Sequence, residues 1–275
     1  MLRNSIIICL ILTLTSCGAP TTVIRSGSNS EIDKERRYMQ QIAFKAYHER
    51  LEKLNNLAYP LLKSSTTFCE NNLDYTIGMR TISINQINKK FRESLASGNQ
   101  VYSFGQFQKI IYVIKDSPAD KAGLKKGHLI HSIKKSPNEI WIKDDIYKNN
   151  EKNHYSENSV LIKLYWDGTS NLNEFKEFKE KYNPPGPGST DPNRYFFKEI
   201  KVLPEKICGY GVKLIQNDSL NAYADGKNIY ITQGMMRFVE EDRELQFIIG
   251  HELAHNMEGH IEKKTNNSIL GTILD

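Results

Sequence analysis

Two histidines four residues apart, with a glutamate directly after the first, are the residues of this chain whose types and spacing could do chemistry: His251, Glu252 and His255 in the run HELAHNMEGH. On a helix, a spacing of four is about one turn, so both imidazoles share a face and can reach a single tetrahedral Zn²⁺ at about 2.0–2.1 Å. Such an ion would bring the pKa of a bound water toward neutrality. Glu252 would then be the general base that takes a proton from the water as it attacks a peptide carbonyl. Three defined positions can also arise as incidental histidines around a glutamate, so the surroundings must carry part of the argument.

A catalytic zinc keeps three protein ligands and leaves one position open. The nearby candidates fail on geometry. His260 lies nine residues past His251, about 900° around the helix and so on its opposite face. Glu258 and Glu262 share the histidine face, yet Glu258 stands about 7 Å further along the axis and Glu262 further still.

The element that must hold the motif reads as a helix from Asp242 onward. Glu240, Glu241 and Asp242 place negative charge near its start, and Leu245, Ile248, Ile249, Leu253 and Ile261 give it an apolar side. Upstream, NAYADGKNIYIT fits strand, turn and strand, with Asp225-Gly226 as the hairpin turn.

The longer stretch NAYADGKNIYITQGMMRFVEEDRELQFIIGHELAHN resembles, almost throughout, the HtpX-like and BepA-like zinc metallopeptidases related to CAAX prenyl proteases, of the gluzincin type. The residues that match are Asn221, Ala222, Ala224, Ile229, Tyr230, Ile231, Thr232, Gly234, Met235 and Met236, then Glu244, Leu245, Ile248, His251, Glu252 and His255. The resemblance runs from roughly Cys208 to the end. It implies one Zn²⁺ per site on His251 and His255, with Glu252 as catalytic base. It also implies a substrate-binding edge strand at Asn221 and Ala222, where main-chain hydrogen bonds hold a peptide without reading its side chains. The family's third ligand is a glutamate on a second helix downstream, usually in an E-x-x-x-D pattern, followed by an oxyanion-stabilising residue. Neither is found in these 275 residues, so a C-terminally truncated piece of a longer protein is expected, with a natural truncation as the alternative. A metzincin is excluded, because that motif wants glycine where Glu258 stands and histidine where Ile261 stands.

Between Asp74 and Val202 the pattern is of strands: YTIGMRTISI, KIIYVIK, HLIHSIKK, SVLIKLYWDG and YFFKEIKV are short, rich in β-branched and aromatic residues, and separated by turns. The run from Ser117 to Gly127, SPADKAGLKKG, resembles the signature of bacterial PDZ domains, with His128 in place of the usual aspartate. Pro118 suits a first helical turn, while Gly123 and Gly127 can take the positive φ that ends and reverses it. The resemblance implies binding of extended polypeptides at a sheet edge and places Ile77-Gly78-Met79 near a carboxylate-binding loop; a lone glycine in a strand equally marks a bulge. Polar insertions around 143–158 and 183–192 read as surface loops.

At the start, Arg3, the apolar run Ile6 to Leu14 and the small residues Thr15 and Ser16 read as an export signal over 1–16. Leu14-Thr15-Ser16-Cys17 resembles the bacterial lipobox, which implies a lipidated Cys17; a plain secretory signal is the alternative. Residues 17–30, rich in Ser, Thr and Gly, read as a tether, and 31–68 as an amphipathic helix with apolar residues recurring from Met39 to Leu61. That helix is expected to pack on a neighbouring domain, or else to lie on a membrane surface. Cys69 and Cys208 would be the thiols left in a compartment that permits disulfides, either bridged or free and buried. His48, His131 and His154 stand isolated and read as surface or packed residues. The formal charge of +5 comes from 37 Lys and Arg against 32 Asp and Glu, interspersed rather than blocked, so nucleic acid is not an expected partner.

The expected fold class is thus α+β: a PDZ-like, β-rich domain at 69–203, then at 204–275 the N-terminal part of a mainly α zincin peptidase domain with a small β-hairpin or sheet. The expected activity is that of a lipid-anchored zinc endopeptidase acting on misfolded polypeptides. It would face the periplasm of a bacterial envelope, on the outer membrane because Gly18 is not the aspartate associated with inner-membrane retention. The alternative is a catalytically incomplete, peptide-binding adaptor on a peptidase scaffold.

Overall fold

The structure, a computed structural model, describes residues 28–96, 108–136, 138–139, 141, 155–165 and 196–259. The expected signal segment, Cys17, most of the expected tether, most of the first expected insertion, all of the second, His154, His260 and Glu262 lie outside these. Contacts divide the chain between Arg36 and Arg37 into two units. In the first, helix α1 (Asn29–Ser64) opens at Ser28, whose backbone N–H and hydroxyl both donate to Glu31 Oε2, at 2.8 and 2.9 Å. The helix starts two residues before the expected Glu31 because this reciprocal cap satisfies its first donors.

In the second unit, α1 buries His48, Leu51, Leu54, Ala58, Tyr59 and Leu62. Met39 and Ile42, counted in the apolar stripe by periodicity, stay exposed. The helix ends at Ser64 rather than 68, and two short 3-10 turns, Thr66–Phe68 and Glu70–Asn72, lead into the strands. Among the described residues no helix is long and apolar enough to cross a membrane.

The expected strand YTIGMRTISI is two strands in two sheets. Strand β1 (Leu73–Thr76) pairs antiparallel with β7 (Glu205–Cys208), whereas β2 (Met79–Ile82) is an end strand of a five-stranded sheet. Gly78 makes the break. It sits at φ +74°, its N–H donates to Thr76 Oγ1 at 3.0 Å, and its carbonyl accepts from Ile114 N at 2.7 Å. A Cβ there would collide with Ser117, so the position is a packed crossing point where only glycine fits.

The five-stranded sheet is an antiparallel meander: β2, which helix α2 (Lys89–Ala96) follows in the chain, then β3 (Gln108–Val113), β4 (Leu129–Lys134), β5 (Val160–Tyr165) and β6 (Phe196–Val202). Between β3 and β4 the chain does what its residues dictate. Ser117 caps a short helix α3 (Pro118–Lys121) by accepting from Asp120 N, and Gly123 and Gly127 adopt φ of +79° and +96°. His128 accepts from Lys125 N through Nδ1 at 3.2 Å, so the turn carries a side-chain acceptor.

Two apolar cores result. One lies on the sheet, with Ile77, Ile110, Ile130, Ile133, Val160 and Ile162 among its members. The other joins α1 residues Leu51, Leu54 and Ala58 to Ile111 and Tyr112 of β3 and to Leu245, Ile249 and Leu253 of the C-terminal helix. Cys69, just ahead of β1, forms a disulfide with Cys208 at the end of β7. The expected division between 203 and 204 is therefore spanned by a strand pair, a covalent bond and a shared core.

Candidate metal centre

The site rests on a third, three-stranded sheet followed by two helices. Strand β8 (Gly211–Ile215), whose run was not anticipated as a strand, pairs parallel with β10 (Asn228–Thr232), and β10 pairs antiparallel with β9 (Ala222–Ala224). Among the described residues the order β8-β10-β9 leaves β9, which contains Ala222, at an edge. Asn221 directly precedes it, with its N–H donating to Thr232 Oγ1 at 3.2 Å and its carbonyl accepting from Thr232 N at 3.1 Å.

Asp225-Gly226 forms the turn between β9 and β10. Asp225 Oδ1 accepts from Lys227 N and Asn228 N at 2.8 and 2.6 Å, and Oδ2 accepts from the Tyr230 hydroxyl at 2.8 Å. Partial burial would raise this carboxyl, but these hydrogen bonds outweigh it and hold its pKa down to about 2. The turn is locked by an ionised side chain.

Thr232 ends β10 and caps the short helix α4 (Gln233–Phe238) by accepting from Met235 N at 3.2 Å. Its hydroxyl also lies 2.6 Å from Ser219 O and 2.9 Å from Asn221 O. Gly234 lets that loop close, since a Cβ would run into the Asp218 and Ser219 carbonyls. A threonine and a glycine matched by resemblance thus acquire a physical role: together they set the approach to the edge strand.

Helix α5 (Asp242–Met257) begins where Glu244 Oε2 accepts from the backbone N–H groups of Glu240 and Glu241, each at 3.2 Å. Its buried stripe is Leu245, Ile249, Leu253 and Asn256. The flank beside that stripe carries the chemistry. His251 is exposed, Glu252 and His255 are half-buried, and the two imidazoles meet edge to face with Nε2 atoms 3.1 Å apart. Two nitrogens bound tetrahedrally to one zinc at about 2.05 Å stand about 3.3 Å apart. The separation is thus close to what one shared ion would need, and the donor set suits zinc. Among the described residues no third His, Cys, Asp or Glu joins them.

Residues 196–274 match the model of peptidase family M48. This stretch carries a peptidase M48 domain, which supports a protease, and peptidases of that family are generally zinc-dependent. No curated protein matches the chain. The M48 match begins at β6, within the five-stranded sheet, and takes in the hairpin, α4 and α5.

Of the residues singled out from sequence, His251, Glu252 and His255 share one short helical segment, and Ala222 lies on an edge strand packed beside that helix. Gly78 lies in the other core region, against Ser117, and its N–H donates to Thr76 Oγ1. His48 is buried and its Nδ1 meets Phe44 O at 2.9 Å, while His131 Nδ1 meets Ser132 Oγ at 2.9 Å. The residue that sequence reasoning missed is Asn256. Its signal was a carboxamide in line with Leu245, Ile249 and Leu253, since a polar side chain on a buried stripe must find partners.

Proposed function

We propose that this chain belongs to a zinc-dependent endopeptidase in which His251 and His255 hold the ion through Nε2 and Glu252 is the general base. The observation that carries this reading is the convergence of the two Nε2 atoms to 3.1 Å with Glu252 on the adjoining position of the same helix. Bound zinc would polarise the scissile carbonyl and acidify the attacking water. Glu252 would accept that water's proton and pass it to the leaving nitrogen. An extended peptide would pair with the edge of β9 near Asn221 and Ala222, which lies beside α5, so that its backbone is presented to the Glu252 side of the helix. The third ligand would come from outside the described residues.

The five-stranded sheet is read as a PDZ-like module that gathers polypeptide substrates, misfolded ones among them, at the β2 edge. The capped strand-helix-strand turn at Ser117–Gly127 supports this. The N-terminal pattern supports anchoring through a lipid on Cys17, facing the periplasm, on the outer membrane. The alternative, a peptide-binding adaptor on a peptidase scaffold, would present the same two histidines.

The test is zinc stoichiometry and cleavage of an unfolded protein by the full chain and by Glu252→Gln. One zinc per chain, with cleavage abolished by chelators and by Glu252→Gln while zinc is retained, supports the peptidase. Cleavage at an undiminished rate by Glu252→Gln overturns the assigned mechanism; peptide binding with neither zinc nor cleavage makes the adaptor reading correct.

A further inference from the structure

The β9–β10 hairpin is a slight element. Strand β9 has three residues, pairs on one side only among the described residues, and leaves Tyr223 42% exposed. Edge strands of that length have little stability of their own. The Asp225 carboxylate closes the turn internally, but one backbone donor and one backbone acceptor of the turn face α5.

Both are met by one side chain. Asn256 is 5% exposed; its Oδ1 accepts from Gly226 N at 2.7 Å, and its Nδ2 donates to Asn228 O at 3.1 Å. The carboxamide is thereby fixed in orientation, because its oxygen must face the N–H and its nitrogen the carbonyl. Its own backbone carbonyl accepts from the Tyr210 hydroxyl at 3.3 Å, which ties this turn of α5 to the segment before β8. Asn256 directly follows His255 and lies four residues, one turn, past Glu252 on the same side of the helix.

We propose that Asn256 is a positioning residue: its buried carboxamide fixes the Asp225–Asn228 turn, and with it the edge strand β9, against the face of α5 that carries Glu252. It touches neither metal nor peptide. Its effect is on the fraction of molecules in which the pairing edge stands in register with the catalytic base. This rests on the peptidase reading for its consequence, but not for the tie itself.

Asn256→Ala leaves Gly226 N–H and Asn228 C=O without the side-chain partner, and Asn256→Asp keeps the acceptor while setting an oxygen against the Asn228 carbonyl. The experiment is hydrogen exchange on the full chain with both variants, alongside cleavage of peptides of increasing length. In Asn256→Ala, amides at 222–228 are expected to exchange about tenfold faster while those of β3 to β5 keep their rates. KM should rise about tenfold for peptides long enough to pair with β9, with kcat and the KM of minimal peptides little changed. Asn256→Asp should fall between, and should restore part of the protection if the alanine variant does not fold. Unchanged exchange at 222–228 in folded variants overturns the tie. Faster exchange with equal KM shifts for long and short peptides overturns the positioning role. If the unaltered chain cleaves nothing, the peptidase reading fails, while the exchange data still decide the tie.

Discussion

His48 is a buried base whose protonation the fold opposes, and the size of that opposition can be tested. It is 6% exposed, and its ring lies 4.1 Å from Phe44 and 5.1 Å from Tyr47 between centroids. Burial lowers its pKa most; the hydrogen bond to the Phe44 carbonyl works the other way, and the positive charges of Arg80 and Lys126 add to the lowering, giving about 4 against an ordinary 6.5. Because the folded state resists the proton that the unfolded state accepts, the stabilisation is complete above about 6.5 and is lost as the pH falls toward 4. That difference corresponds to about 3 kcal/mol, accumulating at about 1.4 kcal/mol per pH unit across the window. The assay is urea unfolding followed by circular dichroism at several values between pH 7.5 and 4, for the unaltered chain and for His48→Gln, whose side chain does not titrate. All other titrating groups are common to both, so the difference between the curves isolates this histidine. It should be constant above pH 7 and shrink by about 3 kcal/mol by pH 4. Parallel curves throughout would refute the reasoning.

Replacing Cys69 and Cys208 together by serine should cost about 2–5 kcal/mol in denaturant unfolding, because the bond closes a loop of large sequence separation and clasps β1 to β7; an unchanged midpoint would count against that. Gly234→Ala should lower stability by about 1–3 kcal/mol and raise exchange at 217–221, since the methyl meets two carbonyls that cannot both yield. Gly78→Ala should destabilise too, through both the positive φ and the contact with Ser117; thermal unfolding at the unaltered temperature would show that the crossing relaxes.

The elements legible beforehand were those whose cause lies within a few residues. Four-residue spacing on a helix is enough to bring His251 and His255 together. A serine, a proline and two glycines suffice for the turn between β3 and β4, and Asp225-Gly226 for the hairpin. Each is settled by backbone preferences and neighbouring hydrogen bonds, which do not depend on what the rest of the chain does.

What escaped was set by distant partners. YTIGMRTISI alternates as one strand, but β7 claims its first half and β3 its second, and the contact of Gly78 with Ser117 forces the chain to turn between them. The disulfide was one of two open alternatives until the β1–β7 register set Leu73 opposite Cys208 and brought Cys69 beside it. The parallel pairing of β8 with β10 joins segments separated by β9 and leaves no periodic trace.

The sequence alone therefore determined the chemical identity of the centre, two imidazoles and a carboxylate on one helix, because helical periodicity is a local property. Only the tertiary structure decided what stands opposite them. Asn256 shows in the sequence only as a carboxamide on an apolar stripe, and its role exists because the hairpin turn, about thirty residues earlier, offers its side chain a donor and an acceptor.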